Sequence, residues 1–135
     1  MKRYLVVDIA NQFGINGFVQ SNDINHKVSA AITRTLANIS KIVKKYECDR
    51  VVICCEGGSW RRDVYPQYKS HRRVKNNIRT AKEIEEQDFF YSQTDYFIRM
   101  VNEKTNAIVL RKNKIEGDDF IARWIDTHQS DDHII

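Results

Sequence analysis

Near its N-terminus the chain reads Tyr4-Leu-Val-Val-Asp-Ile-Ala10, an apolar and β-branched run that contains a single acid. A run of this kind predicts a strand that is buried on both faces, as strands are in a parallel sheet. A carboxylate in such a strand is costly unless it is paired or bound to a metal ion. Asp8 is therefore a candidate functional residue.

The rest of the chain alternates between helix-like and strand-like patterns. Apolar residues recur at three- and four-residue steps from Ile24 to Tyr46, which predicts an amphipathic helix of about six turns. Gly14 and Gly17 predict a turn or a small excursion between the first strand and this helix. Further strands are predicted at Arg50–Cys55, Asn106–Arg111 and His133–Ile135, and further helices between Ile84 and Val101 and from Glu116 to His128. This order predicts an α/β fold with a parallel sheet, right-handed crossovers and helices on both faces.

Length and composition favour one globular domain, since the 135 residues are 41% apolar and 30% charged. No apolar run approaches the roughly 18 residues that a membrane span needs. Asp8 and Asn11 interrupt the first apolar segment too early for a secretion signal. The three cysteines are an odd number without zinc-ligand spacing, which indicates a reducing compartment. We therefore expect a cytoplasmic protein.

Charge is concentrated between Trp60 and Lys82, where eight basic residues stand against one acid, a net charge of +7 in a chain of net charge +4. A basic block indicates a polyanion partner, although a charge run by itself more often forms a solvated helix face. The interleaved rings of Trp60, Tyr65 and Tyr68 favour single-stranded nucleic acid, whose bases stack on aromatic side chains. The block has little apolar periodicity, so we expect it to project from the core.

Five carboxylates are expected at one edge of the predicted sheet, because the carboxyl ends of parallel strands meet there. They are Asp8, Glu56, Glu116, Asp118 and Asp119. Such a cluster needs cations to offset its repulsion, and oxygen ligands alone suit Mg²⁺ or Mn²⁺. Two ions a few Å apart are a known arrangement for phosphodiester cleavage. An alternative for Asp118 and Asp119 is that they only complement a helix N-terminus.

Other catalytic signatures are missing from the sequence. It has no glycine-rich phosphate loop, and its four histidines form no nucleophile–histidine–acid pattern. Cys54 and Cys55 are most simply core residues, since no Cys-x-x-Cys motif surrounds them.

Four segments resemble motifs of the 5′-nuclease family, which includes bacteriophage 5′–3′ exonucleases, phage ribonuclease H and flap endonucleases. Val-Val-Asp8-Ile-Ala-Asn-Gln-Phe13 resembles the first metal-aspartate motif. Val-Ile-Cys-Cys-Glu56-Gly57 resembles the second, where aspartate is commoner. Trp60-Arg-Arg-Asp-Val-Tyr-Pro66-Gln-Tyr68-Lys69-Ser-His-Arg72 is similar to the segment that leads into the helical arch. Ile-Glu116-Gly-Asp118-Asp119-Phe-Ile-Ala resembles the Glu-Ala-Asp-Asp motif.

The resemblance implies a PIN-like (resolvase-like) core that hydrolyses phosphodiesters near the 5′ ends of DNA or RNA primers during replication. The implied metal ligands are Asp8, Glu56, Glu116, Asp118 and Asp119, for two Mg²⁺ ions that Mn²⁺ can replace. Lys69 and Arg72 are the implied catalytic contacts to the scissile phosphate. The implied nucleic-acid contacts are Arg61, Arg62, Tyr68, Lys69, Arg72, Arg73 and Lys75. The implied partners are DNA with 5′ ends or flaps and RNA–DNA hybrids. The implied oligomeric state is a monomer. The implied location is the cytoplasm, which for a phage protein is that of the host.

The resemblance departs from the family pattern at the C-terminus. In the family, a strand like His133-Ile-Ile135 continues into a Ser-x-Asp-x-Asp motif and later into a helix–hairpin–helix, and neither is in this sequence. We therefore expect residues 1–135 to be a single N-terminal nuclease domain, truncated at the fourth strand, with a basic helical arch at 60–82. Two alternatives stay open: a nucleic-acid-binding fragment that does not cleave, and a small PIN-type ribonuclease. The second is disfavoured because a complete PIN domain should supply a last acid after a finished fourth strand.

Overall fold

The computed structural model describes residues 1–17, 23–58, 61–65, 67 and 80–135, with the side chain of Arg62 excepted. The strands are β1 (Arg3–Asp8), β2 (Arg50–Cys54), β3 (Ile108–Leu110) and β4 (Asp132–Ile134). The helices are α1 (Ile9–Asn16), α2 (Ile24–Tyr46), α3 (Arg61–Val64), α4 (Ala81–Lys104) and α5 (Gly117–Thr127). Along the chain they follow the order β1, α1, α2, β2, α3, α4, β3, α5, β4.

The four strands form one parallel sheet in the order β3-β2-β1-β4. Asp8 of β1 lies opposite Cys54 of β2, and Cys54 lies opposite Leu110 of β3. These three strands therefore end together at one edge of the sheet. The predicted parallel α/β architecture is confirmed.

Helices cover both faces of the sheet, because successive strand residues point to opposite sides. On one face, Leu5, Val7 and Ile53 pack in a buried cluster with α1, α2 and α4. On the other, Tyr4, Val6, Val52 and Cys54 are buried against three residues of α5, which are Phe120, Ile121 and Trp124. The sheet is thus fixed from both sides, and its strand ends are held in register.

The segment after β1 differs from the prediction. The strand ends at Asp8, and residues 9–16 form a helix rather than a turn. The Asp8 carboxylate caps this helix by accepting a hydrogen bond from the Asn11 backbone N–H (3.2 Å). Ile9 and Phe13, one turn apart, are buried against the sheet, and this burial outweighs the cost of about 1 kcal/mol for Gly14 inside the helix.

The remaining elements lie close to their predicted positions, and α2 has the predicted bounds. Asp23 caps α2 by accepting from the Asn25 backbone N–H (3.0 Å). Thr80 caps α4 in the same way, accepting from the Glu83 backbone N–H (3.2 Å). Among the helices of the described ranges, none combines the length and apolarity needed to cross a bilayer.

Most of the predicted basic arch at 60–82 lies outside the described residues. Its described part begins with α3 and ends with Thr80 and the first turn of α4. The arch therefore stays a prediction.

Gly57 marks the tightest backbone approach among the described glycines. Its N–H donates to the Ile115 carbonyl (3.0 Å) and its carbonyl accepts from the Lys114 N–H (2.6 Å). A Cβ at this position would lie 1.9 Å from the carbonyl oxygen of Lys112. The loop after β2 is thus fixed against the loop that precedes α5.

We expect Gly57→Ala to lower the free energy of unfolding by about 3 kcal/mol, because the clashing backbone cannot move without breaking these hydrogen bonds. Gly14→Ala is the matched control, since nothing lies within 4 Å of its added Cβ, and it should be neutral or stabilise by up to about 1 kcal/mol. Urea denaturation followed by circular dichroism measures both variants. Equal stability of the two would contradict the close approach at Gly57.

Candidate metal centre and nucleic-acid interface

Acids from three chain segments meet at the carboxyl edge of the sheet. Asp8 is the last residue of β1, Glu56 lies two residues beyond β2, and Glu116 immediately precedes α5. The prediction that parallel strand ends bring these side chains to one edge agrees with this placement.

The side chains of Asp8 and Glu56 both lie close to Gly117, the first residue of α5. A Cβ built on Gly117 would lie 3.6 Å from Asp8 Oδ1, 3.8 Å from Glu56 Oε2 and 3.6 Å from the Cys54 carbonyl oxygen. The Gly117 backbone N–H donates to Glu56 Oε2 (3.2 Å). Two carboxylates therefore face the first turn of α5, where the helix dipole favours negative charge.

Glu116 and Asp119 share a guanidinium, that of Arg61. Glu116 is only 6% exposed, and its Oε2 accepts from Arg61 Nη1 (2.9 Å). Asp119 accepts from both terminal nitrogens of Arg61, at 3.0 and 2.8 Å. Charge-assisted contacts of this kind are the strong ones in proteins, so the two carboxylates are firmly held. Glu116 occupies the N-cap position of α5 without capping it, because its side chain is directed to Arg61 instead.

Asp118 is not brought together with the other four acids. It is exposed on the first turn of α5. Within the described part of the chain, its side chain makes no hydrogen bond or ion pair. Its position matches the alternative in which an acid complements a helix N-terminus, and its role as a ligand stays a prediction.

The donor chemistry of the site fits a hard divalent cation, because the side chains at this edge offer carboxylate oxygens. Within the described ranges, no group of three or more His, Cys, Asp or Glu side chains already converges on one ion position. Four of the five carboxylates instead have a partner in the protein: Asn11 N–H for Asp8, Gly117 N–H for Glu56, and Arg61 for Glu116 and Asp119. A bound cation would have to replace some of these partners.

The neighbouring thiols do not contribute ligands or nucleophiles. Burial, then the adjacent Cys55 thiol and the Asp8 carboxylate, raise the pKa of Cys54 to about 12. Burial likewise raises the pKa of Cys55, and Arg111 only partly offsets this. Both thiols stay protonated at neutral pH, and only thiolates are effective ligands or nucleophiles.

The predicted nucleic-acid contacts are described only in part. Arg61 faces the carboxylates rather than open solvent. Asp63, on the same short helix, pairs with Lys114 Nζ at 2.8 and 3.0 Å. Tyr68, Lys69, Arg72, Arg73, Lys75 and the side chain of Arg62 lie outside the described residues.

A cavity of about 1010 Å³ opens beside Glu56, between α1, the start of α2 and the first half of α4. Its walls include the rings of Phe90 and Tyr91 and the acids Glu83 and Glu86. Clefts of this size are typical ligand sites. The cavity therefore adjoins Glu56, one of the carboxylates at the sheet edge.

A parallel sheet in this strand order, with acids at its carboxyl edge, is the architecture of a resolvase-like (PIN-like) nuclease core. The chain belongs to the family described as 5′–3′ exonuclease, N-terminal resolvase-like domain, whose model matches residues 11–135. The predicted family and fold class are confirmed.

Solved structures of bacteriophage T5 proteins have the same fold. The T5 5′-exonuclease with bound zinc ions is 17% identical, with a TM-score of 0.78 over 96% of this chain and 45% of that one. A T5 protein co-crystallised with metal ions is 17% identical, with a TM-score of 0.73 over 93% and 43%. The T5 flap endonuclease in a complex with DNA and metal ions is 19% identical, with a TM-score of 0.67 over 93% and 44%.

The chain thus spans less than half the length of these structures. Among curated protein sequences, none matches this chain at a significant level.

Proposed function

We propose that this chain is the metal-binding N-terminal domain of a 5′–3′ exonuclease or flap endonuclease, which hydrolyses phosphodiesters near the 5′ ends of DNA or RNA primers in replication. The observation that supports this most is the placement of the buried Glu116 with Asp8, Glu56 and Asp119 at the carboxyl edge of the sheet. The family model matches most of the domain that contains this sheet. The T5 structures contain metal ions, which are divalent zinc ions in one of them, and another also contains DNA.

In this proposal Asp8, Glu56, Glu116 and Asp119 hold Mg²⁺, which Mn²⁺ can replace, and the exposed Asp118 is a further ligand. When bound, such ions activate water and stabilise the leaving oxygen of a phosphodiester. The Gly117 N–H orients Glu56, and the Asn11 N–H orients Asp8. Lys69 and Arg72 contact the scissile phosphate and its developing charge.

The basic segment 60–82 supplies the nucleic-acid surface in this proposal. Its positive charge attracts the phosphate backbone, and Tyr68 stacks on a base. The flanking contacts come from Arg61, Arg62, Arg73 and Lys75. The substrates are DNA with 5′ ends or flaps and RNA–DNA hybrids, and the chain acts as a cytoplasmic monomer.

A non-cleaving nucleic-acid-binding domain is the second candidate. It is favoured by one observation: each carboxylate with a described contact is engaged by a group of the protein, Arg61 above all. If these partners are not displaced, the basic segment can bind nucleic acid without hydrolysis.

A 5′-labelled flap DNA distinguishes the two candidates. The affinity, measured by fluorescence anisotropy, should fall steeply with salt, because several phosphates are neutralised on binding. For the nuclease, a denaturing gel should show products near the 5′ end that need Mg²⁺ and disappear with EDTA. Binding without any Mg²⁺-dependent product would favour the second candidate, and absence of binding would contradict both.

A further inference from the structure

Arg61 lies within the proposed metal centre and not only beside it. Its guanidinium contacts Glu116 on one side (2.9 Å) and Asp119 on the other (2.8 Å). The Glu116 side chain is 7% exposed, that of Asp119 25% and that of Arg61 34%. The cation thus lies between a buried carboxylate and a half-buried one.

We propose that Arg61 is the internal counter-ion of the carboxylate site, which holds Glu116 and Asp119 until a divalent cation displaces it. The inference rests on the proposed metal-dependent function. An ionised carboxylate that is buried without a partner is strongly destabilising, so a positive charge beside Glu116 stabilises its ionised form. Arg61 supplies that charge in the absence of metal. A guanidinium and a divalent cation that neutralise the same oxygens must compete for them.

A second ion pair, Asp63–Lys114, allows the counter-ion role of Arg61 to be tested separately from the attachment of α3 to the rest of the domain. Asp63 and Lys114 connect α3 to the loop before α5, and both side chains are 56% exposed. This pair attaches the same helix without touching Glu116 or Asp119. Lys114→Gln therefore removes attachment alone, whereas Arg61→Gln removes the counter-charge and leaves a shorter, neutral polar side chain.

Thermal unfolding at increasing Mn²⁺ concentrations tests the proposal, since an ion that binds the folded state raises Tm according to its affinity. Without metal, Arg61→Gln should unfold at a lower temperature than wild type. Its apparent Mn²⁺ dissociation constant should be at least about tenfold lower, because the ion no longer displaces a guanidinium. Arg61→Lys keeps the charge but loses the bidentate contact, so its apparent Mn²⁺ dissociation constant should lie between those of wild type and Arg61→Gln. Lys114→Gln should bind Mn²⁺ as wild type does.

The outcomes separate this inference from the proposed function. Mn²⁺ binding by wild type, with equal or weaker binding by Arg61→Gln, overturns the counter-ion role and leaves the metal centre standing. No stabilisation of any variant by Mn²⁺ overturns both. If Arg61→Gln is unfolded without metal, folding on addition of Mn²⁺ supports the proposal, and failure to fold at saturating Mn²⁺ contradicts it.

Discussion

Replacing Asp8 by asparagine is expected to lower divalent-metal-dependent cleavage by at least about 100-fold, together with most of the metal's effect on Tm. The substitution removes one negative charge from the proposed centre while keeping the side-chain shape. Asparagine is as good a helix N-cap as aspartate, so α1 should still form and the variant should fold. The loss would then report on metal binding and not on stability.

Asp23→Asn is the matched control for this variant. Asp23 also caps a helix, accepting from the Asn25 N–H at 3.0 Å, but it lies outside the carboxylate edge. The two variants therefore make the same chemical change in the same local role. Rates of product formation on a gel and Tm with and without Mg²⁺ are the measurements. An equal Mg²⁺-dependent rise in Tm for Asp8→Asn and wild type would rule out Asp8 as a ligand.

Lys69→Ala and Arg72→Ala are expected to reduce the single-turnover cleavage rate by about 100-fold each, with a much smaller loss of DNA affinity. The proposed contacts act on charge that develops at the scissile phosphate, so their energy appears mainly in the transition state. Each residue also contributes one positive charge to general phosphate binding, which accounts for the smaller effect on affinity.

Lys44→Ala, in the last turn of α2, is the control for loss of one positive charge elsewhere on the chain. It should leave both the cleavage rate and the affinity close to wild type. If Lys69→Ala and Arg72→Ala weakened binding as much as cleavage, the two residues would be general phosphate contacts and not catalytic ones.

Much of the fold could be predicted because burial imposes simple periods on the sequence. The apolar positions of α2 repeat at helical spacing, so both of its bounds follow from the pattern. The convergence of Asp8, Glu56 and Glu116 follows from parallel strand order, since the carboxyl ends of such strands share an edge. The sequence does not predict helix α1, because Gly14 interrupts its pattern and Gly17 follows its last residue, while the burial that stabilises the helix depends on contacts with the sheet.

The pairing of Arg61 with Glu116 and Asp119 could not be predicted from the sequence. Arg61 and Arg62 are adjacent and of the same type, so the sequence alone does not show that Arg61 contacts the acids; that contact depends on the packing of α3. Asp118 and Asp119 are likewise adjacent. Successive helix positions point about 100° apart, so only Asp119 reaches the guanidinium. The exposure of Asp118 therefore depends on how α5 packs on the sheet.

Anomalous diffraction from crystals of the chain soaked in Mn²⁺ tests whether the carboxylates bind a metal ion, because it locates the ion without relying on turnover. We expect an anomalous peak within coordination distance of Asp8, Glu56 and Glu116, with the Arg61 guanidinium moved away from Glu116. This expectation would be contradicted by crystals at saturating Mn²⁺ in which Arg61 still bridges Glu116 and Asp119 and no peak lies near Asp8.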